Sequence, residues 1–299
     1  MKELGSRRSF LKSAIAGATG LGMVQSSSVT EAATSQQIPI KIAHRAANMK
    51  MIGNVEVFKV ASQIPGLKGI ELQVTAGVPN LWDLDAVRRY KREAHRWGIS
   101  IPSVAGIWAP GVSILHSPSA GINVIKAIRA AELLGASVIL VAFFAQNAPD
   151  MSKEGSYAPA VRLLQDSSVY AADAGIVLGL ESSLSPADHS KLVDIVDRPN
   201  VKVYFDLYNT EDYGHKGQAV AGIKLLGRDR ICQVHVKNQA RLIEEPGKVD
   251  WQAAFQAFGE IGYEGWFVLE SEHSDESQCI ESTTRNIEFM RTHIRMGSD

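Results

Sequence analysis

Four residues of types that bind divalent metal ions recur in the second half of the chain, each at the end of a short hydrophobic run. They are Glu181, Asp206, His235 and Glu270. A charge at the end of a buried strand is costly unless it is paired or bound to a metal. Three carboxylates and one imidazole suit Mn²⁺, with Mg²⁺, Co²⁺ and Zn²⁺ as alternatives. An ion held by four protein ligands keeps positions open for adjacent hydroxyl and carbonyl oxygens of a sugar.

Eight short apolar runs alternate with helical segments, and these elements must position the four residues. The predicted strands cover 38–44, 69–74, 99–107, 137–144, 176–181, 201–207, 231–237 and 266–271. The predicted helices lie around 55–63 and over 84–97, 122–134, 158–174, 187–196, 219–226, 251–261 and 280–294. This alternation predicts an α/β fold, a parallel eight-stranded (β/α)8 TIM barrel. A doubly wound sheet is the alternative, but the sequence has neither a Gly-x-Gly-x-x-Gly motif nor a P-loop.

The composition is that of a globular protein. The chain has 299 residues, of which 45% are hydrophobic and 21% charged. These values exclude disordered and collagen-like chains. A formal net charge of −1 gives no sign of a nucleic-acid-binding surface. Two cysteines are too few for a disulfide scaffold or a thiolate zinc site.

The first 33 residues have the layout of an export signal. Residues 6–12 read Ser-Arg-Arg-Ser-Phe-Leu-Lys, which matches the twin-arginine pattern, and a mildly apolar run and small residues follow. The apolar run is too short and too rich in glycine for a transmembrane helix. We therefore expect recognition by the twin-arginine export machinery through residues 6–12, cleavage near residue 33 and no stable membrane anchor. Residues 34–299 would form one barrel domain in the periplasm or outside the cell.

The chain resembles the xylose-isomerase-like sugar phosphate isomerase/epimerase superfamily. The resemblance rests on the four strand-end residues, one per strand, and on motifs at 204–209, 226–231, 235–238, 247–251 and 262–266. It covers 38–295 and is most specific from the fifth strand onwards. It implies that one divalent metal holds the substrate and that Glu181 and Glu270 handle protons on opposite faces of one carbon. It also implies a substrate-binding role for Arg241.

Two positions depart from the family pattern. The family often has His where this chain has Asn209, and Asp where it has Asn238. Some members carry Asn at the first of these positions, so the departures leave membership intact. They do put in doubt any substrate borrowed from the epimerases that carry the histidine.

Further substrate-binding candidates lie near the strand ends. They are His44, Glu71, Trp108, Asn209 and Lys237. His44 and Glu71 lie at or near the ends of the first two strands. Trp108 follows the third strand and can stack on a sugar face. Lys237 alternates with His235 and therefore shares its side of the strand.

The leading hypothesis is a metal-dependent isomerase or epimerase that removes a proton next to a carbonyl and passes through an enediolate. Because the same intermediate can expel a β-substituent, a lyase acting on a 3-keto-glycoside is an alternative. An exported sugar-binding protein without catalysis is another. Export favours a free sugar, glycoside or keto-sugar over a sugar phosphate. A DNA-repair function is excluded, because that branch of the fold needs a histidine-rich multi-zinc site and a basic surface. Family members often pair through their barrels, which leaves a homo-oligomer open.

Overall fold

The computed structural model describes residues 40–74 and 80–294. Within them, eight parallel strands close into a barrel in chain order, and β1 pairs with β8. The strands are β1 Lys41–Arg45, β2 Gly69–Gln73, β3 Ser103–Ala105, β4 Val138–Phe143, β5 Val177–Ser182, β6 Val201–Asp206, β7 Ile231–Val236 and β8 Trp266–Leu269. The predicted TIM barrel is thus confirmed.

Nine α-helices of the described residues surround the barrel or cover its ends. They are α1 Val57–Gln63, α2 Leu84–Trp97, α3 Ala120–Leu134, α4 Glu154–Asp173, α5 Pro186–Val196, α6 Leu207–Asp212, α7 Ala219–Arg230, α8 Trp251–Glu260 and α9 Glu276–His293. Gly98 and Gly135 end α2 and α3 in the left-handed conformation. Glycine adopts this conformation without a Cβ clash, so these ends follow directly from the sequence. None of the described helices is long and apolar enough to cross a membrane.

Small and large side chains together fill the barrel interior. The interior cluster consists of Ala43, Ala105, Val138, Leu140, Tyr204 and Val268. Gly179 of β5 lies against this layer, where an added Cβ would lie 2.8 Å from Cys232 Sγ and 3.2 Å from Tyr204 Cβ. The larger apolar core lies between the barrel and its helices. Because both faces of each strand are covered, the strands appear in the sequence as nearly continuous apolar runs.

Strand register brings the strand ends to one rim. Asp206 pairs with His235 across β6 and β7, and Val236 pairs with Leu269 next to Glu270. On the other side, Ala142 of β4 pairs with Glu181 of β5. The four strand-end residues therefore lie at the carboxyl end of the barrel, where TIM-barrel enzymes carry their active sites.

The elements differ from the predicted ones in several places. The third strand covers only Ser103–Ala105, because the residues on either side are not paired as continuous strand. The short helix α6, which begins directly after Asp206, was not predicted. The last helix begins at Glu276, where Asp275 caps it by accepting a hydrogen bond from Gln278 N. The predicted export signal lies outside the described residues.

Candidate active site

The four strand-end residues form one buried cluster. Each of Glu181, Asp206, His235 and Glu270 offers a ligand atom, and these atoms all lie within 4.8 Å of one another. His235 Nδ1 lies 3.2 Å from Glu181 Oε1, 3.6 Å from Glu270 Oε2 and 3.9 Å from Asp206 Oδ2. The imidazole is thus central to the cluster, and its Nδ1 atom faces the three carboxylates.

Two positively charged side chains form ion pairs with the carboxylates of the cluster. Lys237 Nζ lies 2.8 Å from Asp206 Oδ2 and 2.6 Å from Glu270 Oε2. The Arg45 guanidinium forms an ion pair with Glu270, and its Nε lies 3.4 Å from Glu71 Oε1. Both cations are largely buried, since their side chains expose only 15–17% of their surface.

The donor set and the charge balance fit a divalent cation. The carboxylates that meet here are Glu71, Glu181, Asp206 and Glu270. Opposite these four stand Arg45 and Lys237, which leaves two negative charges in excess while His235 is neutral. One divalent ion would remove that excess, and carboxylate oxygens with an imidazole nitrogen are ligands that Mn²⁺, Mg²⁺, Co²⁺ and Zn²⁺ accept.

The excess negative charge also shows in the acid–base behaviour of the cluster. Burial, together with the charges of Glu181 and Glu270, raises the pKa of Asp206 to about 7 although Lys237 opposes the shift. Burial lowers the pKa of His235, but the carboxylates outweigh it and hold that pKa well above its usual value. Without a metal, protons therefore supply part of the positive charge that the site needs. A bound cation would displace them.

Glu71 lies behind His235. Its side chain is fully buried, and its Oε2 accepts hydrogen bonds from Ser103 Oγ and Tyr204 OH, each at 2.8 Å. Its Oε1 lies 3.4 Å from His235 Nε2. These contacts engage both carboxylate oxygens of Glu71, and its predicted substrate contact stays a prediction. Because a carboxylate only accepts, Glu71 would hold the proton of His235 on Nε2 when a metal ion takes the Nδ1 lone pair.

Helix α6 fixes two further residues of the site. Asp206 caps this helix, because its Oδ1 accepts a hydrogen bond from Asn209 N at 2.9 Å. The other carboxylate oxygen, Oδ2, is thereby directed towards Lys237 and His235. Asn209 in turn donates from Nδ2 to Glu181 Oε1 at 2.9 Å. The amide at this position thus orients one of the two glutamates predicted to move protons.

A cavity of about 270 Å³ opens above the cluster. Glu181, Glu270 and Lys237 contribute to its lining together with Asn209 and Arg45. Three aromatic side chains, Trp108, Phe144 and Tyr213, also line this cavity. The rings of Phe144 and Tyr213 stack at 5.5 Å, and Trp108 Nε1 donates to Ala142 O at 2.6 Å. Aromatic side chains together with carboxylates in one lining fit a polar ring with apolar faces.

Comparison with known proteins agrees with this architecture. The profile of the family described as "Xylose isomerase-like TIM barrel" matches residues 58–293. The chain belongs to the xylose isomerase-like TIM barrel family.

Individual relatives of this xylose isomerase-like chain are sugar epimerases. A D-psicose 3-epimerase from Enterocloster bolteae is 29% identical over 126 residues, which cover 40% of this chain and 41% of the relative. The matched part is therefore about two fifths of that relative's length. The structure of a D-psicose 3-epimerase with D-tagatose from Clostridium cellulolyticum H10 has a TM-score of 0.72 at 17% identity, covering 86% of this chain and 100% of the other. A 3-keto-D-glucoside 4-epimerase from E. coli has a TM-score of 0.64 at 17% identity, covering 85% and 99%. At these identities the structural likenesses establish a shared fold.

Two substrate-binding predictions find no support in this xylose isomerase-like site. His44 is fully buried, and its ring contacts Arg45 O at 3.1 Å and His273 Nε2 at 3.0 Å, not the carboxylate cluster. Arg241 is exposed on the loop after β7, where it donates to Pro246 O at 3.3 Å. Neither residue lines the cavity above the cluster, and both assignments stay predictions. Asn238, the second departure from the family pattern, holds the same loop by donating to Leu242 O and Glu245 O.

Sequence reasoning missed Arg45, which contacts Glu71 and Glu270. The signal for it was present in strand alternation: Ala43 lies in the barrel interior, so Arg45 two residues later faces the same way and His44 faces outward. The predicted strand ended at His44, one residue too early. Tyr204 and Ser103 were also missed, because hydrogen-bond partners of a buried carboxylate depend on register between distant strands.

Proposed function

We propose that the protein is a sugar or keto-sugar epimerase or isomerase that removes and returns a proton on a carbon next to a carbonyl group. The observation that carries this proposal is the pairing of Glu181 and Glu270. They come from β5 and from the end of β8, line one cavity, and offer oxygens within 4.8 Å of each other. Two carboxylates in such an arrangement can act on opposite sides of one substrate carbon. The names of the relatives support the same reaction class.

We further propose that Glu181, Asp206, His235 and Glu270 hold one divalent ion, with Mn²⁺ as the first candidate. Such an ion supplies a Lewis acid that makes the proton next to a carbonyl group more acidic. The residue types, their convergence and the two uncompensated negative charges support this assignment.

The surrounding side chains prepare the two glutamates for proton transfer. Burial raises the pKa of Glu270, but the charges of His235, Arg45 and Lys237 outweigh burial and hold its pKa below its usual range. Glu270 is therefore ionised at neutral pH and ready to accept a proton. Asn209 donates to Glu181 and fixes the direction of its carboxylate. Lys237 lies at the cavity wall, where its ammonium group can donate to a substrate oxygen.

Deuterium uptake tests the proposal directly. The mature chain, loaded with Mn²⁺, is incubated in D₂O with ketohexoses and with 3-keto-glucosides, and carbon-bound deuterium is followed by NMR. We expect exchange in the wild type, at least a hundredfold loss in Glu181→Gln and in Glu270→Gln, and no loss in the exposed control Glu281→Gln. The identity of the product, an epimer or an eliminated fragment, distinguishes an epimerase from a lyase. If the protein binds metal and sugar but no deuterium is exchanged, the proposed enzymatic activity is refuted and a sugar-binding protein is favoured.

We also propose that residues 1–33 direct the protein out of the cytoplasm. The supporting observation is the twin-arginine pattern of residues 6–12. In cell fractionation, the wild type should appear in the periplasm or medium as a shortened chain. The Arg7→Lys, Arg8→Lys double variant should remain inside at full length. Equal distribution of both proteins would contradict export by this route.

A further inference from the structure

A second cavity, of about 670 Å³, lies beside the candidate active site. Its walls come from the segments that follow β1, β7 and β8, at the same end of the barrel as the metal-binding cluster. Arg45 lines both cavities. The two spaces are therefore neighbours, separated in part by the side chain that pairs with Glu270.

The first cavity has the volume for one small ring, and the second cavity has the volume for a larger group. Pockets for small molecules generally measure about 300–1,000 Å³. The active-site cavity, at about 270 Å³, lies just below that range, whereas the second cavity lies well within it. A single sugar ring over the cluster would leave the larger space empty.

The position of the second cavity is fixed relative to a proposed catalytic carboxylate. Asn48, which lines the cavity, donates from Nδ2 to Glu270 O at 3.0 Å, and Arg45 pairs with the Glu270 carboxylate. A ring whose reacting carbon lies between Glu181 and Glu270 would thus have the second cavity next to its Glu270 side. A substituent on that side of the ring would extend into the second cavity.

The lining favours a neutral, hydroxylated group over an anion. Arg45 is already paired with Glu71 and Glu270, and Lys50 Nζ donates to Ser274 O at 3.3 Å. Glu272, also in the lining, would repel a phosphate or carboxylate. The amide and hydroxyl groups of the lining both donate and accept hydrogen bonds, and its charged groups do one or the other. Together they suit the hydroxyl groups of a second sugar.

Two residues with left-handed backbone lie at or next to the wall of this cavity. The described residues other than glycine with positive φ are Lys50, Ala145, Asp197 and Gln239. Lys50 lines the cavity, and Gln239 precedes the lining residue Ala240 and accepts a hydrogen bond from Glu272 N at 3.1 Å. Left-handed backbone costs free energy in residues with a Cβ, and such strain is found preferentially at ligand sites.

We propose that the second cavity is a subsite for a sugar unit linked to the reacting ring, so that the substrate is a glycoside of at least two units rather than a free monosaccharide. This inference rests on the proposed function. The reacting ring occupies the cavity above Glu181 and Glu270. The linked unit passes Arg45 and lies against Asn48, Lys50 and Ser274.

Two matched substrates test the subsite. Methyl 3-keto-β-D-glucopyranoside and 3-ketocellobiose carry the same keto ring and differ in the linked unit. We expect kcat/KM for deuterium exchange to be at least tenfold higher for the disaccharide. The variants Ala240→Trp and Ser274→Trp fill the cavity from two sides and should remove that preference. Ala172→Trp, at an exposed position of α4, should preserve it.

Direct binding separates failure of the subsite from failure of the proposed function. Calorimetric titration of the Mn²⁺-loaded protein should show cellobiose binding at least tenfold more tightly than methyl β-D-glucoside, and Ala240→Trp should abolish the difference. Equal affinities in the wild type would overturn the subsite even if both keto substrates exchange deuterium. Absence of exchange from both keto substrates and from the ketohexoses would overturn the proposed function instead.

Discussion

The role assigned to Glu71 leads to a prediction about metal affinity. Glu71→Gln keeps the volume of the side chain and removes its charge. The hydroxyl groups of Ser103 and Tyr204, which donate to Glu71 Oε2 at 2.8 Å, can rotate and accept from the new amide. The amide oxygen then remains available to His235 Nε2. The substitution therefore tests the negative charge behind the imidazole with little change in packing.

The expected loss follows from the contact between Glu71 and His235. The Glu71 carboxylate lies 3.4 Å from Nε2 in a fully buried position. Hydrogen bonds to charged groups contribute about 1.5–3 kcal/mol. Loss of such a partner of a metal-binding histidine typically weakens metal affinity by about 10- to 100-fold, or roughly 1.4–2.7 kcal/mol. The two ranges agree, so we expect a Kd for Mn²⁺ or Co²⁺ at least tenfold above that of the wild type.

Competition with a chromophoric chelator at neutral pH measures this Kd. Tyr204→Phe is the matched variant, because it removes one donor to Glu71 and keeps the carboxylate. Its effect should stay below tenfold, since the carboxylate keeps its contact with His235 Nε2 and still accepts a hydrogen bond from Ser103 Oγ. Thermal unfolding in the presence of EDTA checks that both variants fold. A folded Glu71→Gln protein whose Kd lies within twofold of the wild type would refute the role of Glu71 behind His235.

Three further predictions concern stability. Gly179→Ala should lower the free energy of unfolding by about 1–3 kcal/mol, because the added Cβ would lie 2.8 Å from Cys232 Sγ. Urea unfolding measures this loss, and Cys232→Ala in the same chain should restore part of it. Burial, with a smaller effect of the His215 charge, lowers the pKa of His189 from 6.5 to about 4. The unfolded chain then binds more protons at His189 between these values, so this residue should contribute a loss of stability of about 3 kcal/mol as pH drops from 6.5 to 4. His189→Gln should remove that contribution in urea titrations at several pH values. Mn²⁺ at a hundred times its Kd should stabilise the protein by about 2.7 kcal/mol, and EDTA should reverse the accompanying rise in Tm; an unchanged Tm would contradict metal binding to the folded state.

The barrel and the convergence of the four strand-end residues could be predicted because both depend on local pattern. Each strand is a short apolar run, and a polar residue directly after it must lie at the carboxyl rim once the strands are parallel. The register of β6, β7 and β8 then places Asp206, His235 and Glu270 side by side. The sequence alone was enough to place each of these residues at the rim, since that position follows from its own strand and not from the register between strands.

The depth and partners of the other site residues depend on contacts between distant strands. Glu71 was expected at the substrate because it lies near the end of the second predicted strand, but Tyr204 of β6 and Ser103 of β3 enclose it. Arg241 was expected there from the family resemblance, and its loop instead leaves it exposed. The strand position of Glu71 and the motif around Arg241 could be seen in the sequence. The contacts of both residues depend on how the closed barrel and its loops pack, which the sequence does not show.

The two halves of the barrel contribute different functions to the candidate site. The cluster atoms come from β5 to the end of β8, in the part of the chain that resembles the family most specifically. The first three strands supply the groups that surround them: Arg45 pairs with Glu270, Ser103 donates to Glu71, and Glu71 lies against His235. Because barrel closure between β8 and β1 brings Arg45 to Glu270, the charge balance of the cluster depends on contacts across that closure. It follows that metal affinity should respond to substitutions of Arg45 in β1 and of Glu71 in β2, although neither strand contributes one of the four proposed ligands.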